Sequence, residues 1–95
     1  MNLTAKPRFG KGVKLRHDAD GSVMLLVPEG ALVLNPPAAA ALELTDGRRT
    51  LEEIVAVVVE RFDVAPQCAQ DDLSDLFDRL SQRGFVLRQP QDDTA

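Results

Sequence analysis

The first third of the chain is patterned for strands. Val13 to Asp18 alternates apolar and polar side chains, which is typical of a half-buried strand. The Asp20–Gly21 pair then predicts a tight turn, and Val23 to Val27 is apolar on both faces. After a second turn at residues 28–30, Ala31 to Leu34 predicts a third strand. We therefore expect a three-stranded antiparallel meander with Ala31 to Leu34 at its edge.

The pattern then changes to a helical period. Asn35 is a good N-cap for an alanine-rich helix that runs to about residue 44. Thr50, with Glu53 three residues later, predicts a capping box for a second helix over residues 51–62. A third apolar stripe predicts a helix from about residue 66 that ends by Gly84. The order predicts an α+β fold, similar to a winged helix-turn-helix, with the sheet before the three helices.

The ends of the chain have weaker patterns. Residues 1–12 lack a sustained apolar period, so we predict an irregular N-terminal arm. The arm is either a frayed end or a segment that packs on a partner subunit, with Phe9 as its anchor. Residues 13–88 then form the folded domain, in which residues 85–87 are a short extended piece. Residues 89–95 are predicted to be a disordered tail.

Composition restricts the class of protein. A chain of 95 residues with 44% hydrophobic and 27% charged residues predicts one globular domain. No apolar run approaches 18 residues, and the N-terminus lacks the apolar core of a signal peptide. We therefore expect no membrane partner and a cytoplasmic location. A single cysteine excludes an internal disulfide.

Charge is unevenly distributed along the chain. The net charge is −4, yet residues 1–16 contain five basic residues and no acid. The third predicted helix carries four aspartates: Asp71, Asp72, Asp75 and Asp78. A DNA-reading helix concentrates positive charge, because acidic groups repel phosphate. A winged helix-turn-helix DNA-binding regulator is therefore the alternative reading, and we expect no nucleic-acid partner. The aspartates form either a solvated face or an acidic docking surface.

Candidates for catalysis are few. The only histidine, His17, follows the apolar side of the first strand and predicts a structural role. Cys68 has no apparent base partner in the sequence, so we expect a buried or inert thiol. No spacing of ligands indicates a metal site. We expect no catalytic residues, no metal and no cofactor, and a small enzyme is the least favoured hypothesis.

The predicted edge strand points to binding. An exposed edge carries unpaired N–H and C=O groups that can pair with a strand from a partner. The apolar residues of the third helix either belong to the core or line a groove beside that edge. The double-sided apolar strand, Val23 to Val27, also predicts a homodimer, with the N-terminal arm exchanged as one possibility.

Several local motifs, taken in order, resemble the PqqD family, small accessory proteins of pyrroloquinoline quinone (PQQ) biosynthesis. The resemblance spans about residues 7–88. Its motifs are V-K-L-R-H-D at Val13 to Asp18, the P-E-G turn, L-V-L-N at Leu32 to Asn35, D-G-R-R-T at Asp46 to Thr50, and D-L-x-x-L-F-x-x-L-x-x-x-G at Asp72 to Gly84.

This resemblance implies a winged-helix-like domain that binds a peptide. A PqqD protein is a chaperone without catalytic residues or a cofactor. It binds the ribosomally made precursor peptide PqqA and presents it to the radical SAM enzyme PqqE, which cross-links a Glu and a Tyr of the peptide. In related recognition domains the peptide adds as a strand beside the third strand and lies against the third helix, and the resemblance implies the same here. The candidate peptide-binding residues are Ala31, Leu32, Val33 and Leu34 on the edge, Arg48 and Arg49 after the first helix, and Leu73, Leu76, Phe77 and Leu80 on the third helix.

Overall fold

The computed structural model describes residues 2–89. Its elements, in chain order, are β1 (Lys6–Phe9), β2 (Lys14–His17), β3 (Val23–Val27), β4 (Gly30–Leu34), α1 (Pro36–Glu43), α2 (Leu51–Phe62), α3 (Pro66–Gln82) and β5 (Val86–Gln89). The predicted α+β class is confirmed, with a three-stranded sheet followed by three helices. Of the predicted tail, Gln89 instead ends β5, and residues 90–95 lie outside the described residues.

Strands β2, β3 and β4 form an antiparallel meander in that order. Leu25 on β3 pairs with Leu15 on β2 and Leu32 on β4, and it is fully buried. Because residues paired across a ladder point to the same side, this row identifies the face that packs on the helices. Strand β4 has no further strand beside it among residues 2–89, so the predicted edge is confirmed.

A second, two-stranded sheet joins the two ends of the described chain. Lys6–Phe9 pairs antiparallel with Val86–Gln89, and the Gly10 amide donates to the Phe85 carbonyl oxygen at 2.8 Å. The prediction of an irregular arm is therefore wrong for β1. The ladder forms within one chain, and the Phe9 side chain packs against its own core. A four-residue strand containing proline has too little pattern to be recognised without its distant partner.

Helices α1 and α2 begin where their caps predict, and α3 begins at Pro66 without a side-chain cap. The Asn35 side chain accepts from the Ala38 amide at 2.9 Å at the start of α1. At the start of α2, the hydroxyl of Thr50 accepts from the Glu53 amide, while the Glu53 carboxylate accepts from the Thr50 amide. After α3, Gly84 adopts a φ of 77°, which glycine tolerates without strain.

The core lies between the three-stranded sheet and the helices. Its fully buried large side chains come from nearly every layer: Leu25, Leu42, Leu51, Ile54, Val58, Phe77 and Val86. Helix α3 contributes Phe77 and three further buried residues, so one face of this helix belongs to the core. No helix within residues 2–89 is long and apolar enough to cross a membrane.

Candidate functional site

The free edge of β4 is the most exposed apolar feature of the sheet. Val33 is 78% exposed and Leu32 is 41% exposed. The two-residue turn between Val27 and Gly30 fixes which backbone groups face outward. Val27 and Gly30 are the hydrogen-bonded pair that closes this turn, and in an antiparallel ladder every second pair is hydrogen-bonded. Gly30 and Leu32 therefore bond to β3, while Ala31 and Val33 direct their N–H and C=O groups away from the sheet. Two residues of β4 therefore offer four backbone groups to an added strand.

A groove of about 340 Å³ runs between this edge and α3. We call it the edge groove. Its lining consists of the end of β4, one face of α3 and the residues that follow the helix: Leu32, Val33, Leu34, Leu76, Arg79, Leu80, Arg83 and Phe85. The side chains are mostly apolar, and two guanidinium groups are the only charged ones. An extended segment placed here would find backbone partners on one side and apolar contacts on the other.

The predicted residues of α3 divide between the groove and the core. Leu76 is half-buried and Leu80 is 3% exposed, and both line the edge groove. Leu73 does not line it, although it borders a neighbouring cleft. Phe77 is fully buried and lines neither, so its prediction as a wall of the groove is wrong. The four residues share one helical stripe, and only packing decides which of them remain accessible.

Arg48 and Arg49 lie outside the lining of the groove, on the exposed loop between α1 and α2. This loop is beside β1, where the Gly47 amide donates to the Pro7 carbonyl oxygen. Asp46 organises the loop by accepting from the Arg48 and Arg49 amides and from the Arg49 guanidinium at 2.9 Å. The Arg48 amide, then the Arg49 amide and the charge of Arg49, hold the pKa of Asp46 below its ordinary value. The Arg49 guanidinium is therefore paired within the loop, whereas Arg48 contributes its backbone amide.

Two other arginines, which sequence reasoning missed, border the edge groove. Arg79 pairs with Asp75 one turn earlier at 3.0 Å, and Arg83 lies 4.0 Å from Glu29. Their spacing from Leu76 and Leu80 by three residues was the available signal, because residues three apart share a helix face. The edge groove thus combines apolar walls with positive charge near its rim.

A second cleft, of about 280 Å³, adjoins the edge groove along α3. We call it the helical cleft. It lies between the start of α1, Val58 of α2, the connection after α2, and α3 from Cys68 to Arg79. Leu76 and Arg79 border both spaces. Its lining is Asn35, Pro37, Ala38, Val58, Val64, Cys68, Ala69, Asp72, Leu73, Asp75, Leu76 and Arg79.

The histidine and the cysteine lie in different environments from each other. The Nε2 atom of His17 is 3.0 Å from the Glu43 carboxylate, and the ring is exposed. This bond between β2 and α1 fits the predicted structural role. Cys68 is exposed, so of the expected buried or inert thiol the buried alternative is wrong and the inert one stays a prediction. Among residues 2–89, no three His, Cys, Asp or Glu side chains are grouped as a metal site would require.

The outer surface of α3 is acidic. Asp71, Asp72, Asp75 and Asp78 are all exposed there. A helix that enters the major groove of DNA needs the opposite charge, because phosphates surround it. This surface opposes the reading of α2 and α3 as a DNA-binding helix-turn-helix.

The fold and the site together define a class: a small α+β domain with an open strand edge above an apolar groove, the arrangement used for peptide recognition by strand addition. The family model described as coenzyme PQQ synthesis protein D (PqqD) matches residues 22–86. The chain belongs to the PqqD family.

Relatives and a solved structure agree with this assignment. A PqqA binding protein of Klebsiella pneumoniae is 37% identical over 92 residues, which cover 96% of this chain and all of that protein. A bifunctional coenzyme PQQ synthesis protein C/D of Methylorubrum extorquens is 33% identical over 83 residues, 86% of this chain but 22% of that longer protein.

The solved structure is the solution NMR structure of the PqqD truncation of Methylobacterium extorquens PqqCD. That truncation is described as a functional and stand-alone recognition element for ribosomally synthesized and post-translationally modified peptides. It matches this fold with a TM-score of 0.72 at 32% identity, covering 86% of this chain and 88% of that one.

Proposed function

We propose that this protein binds the precursor peptide PqqA in PQQ biosynthesis, and that the peptide adds as a strand to β4 in the edge groove. The observation that carries the proposal is an edge of β4 with which no strand in residues 2–89 pairs, directly beside an apolar groove, in a member of the PqqD family. Relatives named PqqA binding proteins supply the identity of the peptide.

The peptide contacts follow from the geometry of the groove. Ala31 and Val33 supply the main-chain partners, and Leu32, Leu76 and Leu80 receive side chains that point toward the helices. Alternate side chains of an added strand point into the groove, because successive residues of a strand face opposite sides. Arg83 and Arg79 favour an acidic residue nearby, while Arg48 and Arg49 act on an acidic peptide only at long range.

The bound peptide is then presented to the radical SAM enzyme PqqE, and this protein performs no chemistry of its own. A strand held by its backbone at an edge leaves half of its side chains facing outward, where a second protein can reach them. A ribosomally made peptide is available in the cytoplasm, so we assign the protein to that compartment.

A homodimer is also proposed, through the outer face of the sheet. Met24 and Val33 form one paired row on that face, and Leu26 and Ala31 form the other. These apolar side chains lie on the side opposite Leu25, away from the helices. Sedimentation of the protein as a monomer at high concentration would exclude the dimer without affecting peptide binding.

An amide NMR titration of the labelled protein with the PqqA peptide tests the binding site. We expect shifts concentrated at residues 31–34 and along 76–83. Shifts confined to the surface of α2 would place the peptide elsewhere. An absence of shifts at peptide concentrations well above micromolar would remove the proposed function and leave the fold unchanged.

A further inference from the structure

We propose that the helical cleft is a second contact for the same peptide. It takes one large apolar side chain from a residue outside the paired strand, and the Asp72 carboxylate binds a Lys or Arg of the peptide beside it. This inference rests on the proposed function, because the strand in the edge groove brings the peptide to the cleft.

The two spaces are continuous along α3. Leu76 and Arg79 border both of them, and β4 ends at Leu34, immediately before Asn35 at the border of the cleft. A strand paired with β4 is therefore directed toward the cleft as it passes Leu34. The chain does not need to turn away from α3 to reach it.

The cleft suits an apolar side chain. Val58 and Leu73, which are 1% and 3% exposed, form its floor. Further apolar walls come from Ala38, Val64, Ala69 and Leu76. Its volume of about 280 Å³ is at or just below the lower end of the range of ligand pockets, roughly 300–1,000 Å³. A single side chain anchored by a neighbouring strand matches this size better than a free cofactor does.

The charged residues at the border of the cleft determine which peptide residue can lie beside that apolar side chain. Asp75 is already paired with Arg79, whereas the exposed Asp72 carboxylate has no hydrogen bond or ion pair with any residue in 2–89. A Lys or Arg of the peptide would form an ion pair with Asp72 at the border of the helical cleft. At the other end of the edge groove Arg83 lies 4.0 Å from Glu29, so these two charges offset each other. The net negative charge that the peptide meets is therefore at the border of the helical cleft, where Asp72 adds to the Asp75–Arg79 pair.

The sole cysteine offers a direct readout of the cleft. Cys68 borders it, is exposed, and is absent from the lining of the edge groove. We would measure the rate at which 5,5′-dithiobis(2-nitrobenzoate) modifies Cys68, with and without saturating PqqA peptide. The expected result is a rate about tenfold lower at a peptide concentration of about ten times Kd, because a covered thiol reacts only in the roughly one-tenth of molecules that remain unbound.

The NMR titration run beside it separates the two proposals. Shifts at residues 31–34 with an unchanged rate at Cys68 would overturn the second contact and leave strand addition intact. No shifts and no change in rate would overturn both. Protection of Cys68 together with shifts at 31–34 would support both.

A matched pair of variants tests the charge. Asp72→Asn should weaken peptide affinity by about two- to fivefold, as expected for an exposed ion pair, and the difference should shrink in high salt. Asp71→Asn is the control, because Asp71 is also exposed but accepts from Gln67 and does not border the cleft. Equal affinities of the two variants would contradict the role of Asp72.

A second pair tests the apolar space. Ala38→Leu fills the cleft from α1 and should lower the affinity for the peptide by about tenfold. Ala56→Leu adds the same atoms on the exposed face of α2 and should leave the affinity unchanged. Unchanged affinity for a folded Ala38→Leu variant would exclude the cleft as a contact.

Discussion

At the scale of single residues, short polar side chains hold the ends of the helices and the loop between α1 and α2. Asp46 accepts from two amides of that loop, and Thr50 begins α2 directly after it. Each satisfies backbone N–H groups that would otherwise lack partners within the chain. These bonds hold the conformation of the loop that joins two helices of the core.

Thr50→Ala should lower the free energy of unfolding by about 1 kcal/mol, because it removes the hydroxyl that caps the Glu53 amide. Urea denaturation followed by circular dichroism measures the change. Glu52→Gln, at an exposed position in the same turn, is the control, and its free energy of unfolding should differ from that of the unsubstituted protein by only a few tenths of that amount. Equal stabilities of the two variants would show that the capping box contributes little.

Asp46 should make stability depend on acid pH. Because its pKa is lower in the folded protein than the ordinary 3.8, its contribution is present above that value and is lost as pH falls through the folded pKa. Asp46→Asn retains an oxygen for the amides but carries no charge. The free energy of unfolding measured between pH 2 and 6 should therefore change less steeply at the acid end in this variant. An identical pH profile would contradict this account.

At the scale of elements, β4 and α3 each serve two purposes. One face of α3 closes the core through Phe77, while Leu76 and Leu80 reach the edge groove. Strand β4 completes the meander on one side and offers its free edge on the other. A substitution in β4 or α3 therefore affects binding without affecting folding only if the group it changes points away from the core and from β3.

Val33→Pro is such a change. It removes an outward N–H from β4, so it should weaken PqqA binding by roughly tenfold, the value of one lost hydrogen bond. The ladder to β3 uses its neighbours, so the variant should remain folded. Val33→Thr keeps the N–H at the same exposed position and is the control. Fluorescence anisotropy with a labelled peptide gives both affinities, and equal values would exclude pairing at Val33.

At the scale of the whole molecule, β1 and β5 connect the beginning of the described chain to its end. The Leu51 amide also donates to the Ala5 carbonyl oxygen, and the Glu52 amide donates to that of Leu3. The N-terminal segment therefore satisfies the first amides of α2 as well as pairing with β5. It is part of the folded domain, although its own sequence lacks a clear period.

Gly10 lies where this segment passes closest to the end of α3. A Cβ atom there would overlap the Gly84 carbonyl oxygen, and backbone cannot move aside easily. Gly10→Ala should therefore cost about 2–3 kcal/mol of stability, in the upper range for overpacking. Gly21→Ala is the comparison: its methyl meets open space at a φ of 92°, so only a backbone strain of about 1–2 kcal/mol is expected. A lower melting temperature for Gly21→Ala than for Gly10→Ala would contradict the close approach of Gly10 to Gly84.

Local sequence patterns were sufficient for most of the fold. The turn at Asp20–Gly21, the cap at Asn35 and the capping box at Thr50 each depend on residues only a few positions apart, so the sequence shows them without knowledge of long-range contacts. The helical stripe of α3 likewise indicates which side is apolar. It does not distinguish Leu76 from Phe77, because both lie in the stripe and the depth of each depends on neighbouring elements.

The sequence by itself determined the order of β2 to α3, the caps, the edge position of β4 and the acidic surface of α3. Only the tertiary structure decided the pairing of β1 with β5, the burial of Phe77, the entry of Arg79 and Arg83 into the edge groove, and the helical cleft beside Cys68. The reason is how far apart in the chain the interacting residues lie. Periodicity and capping depend on residues within a few positions of one another, whereas a groove depends on contacts between segments far apart in the chain.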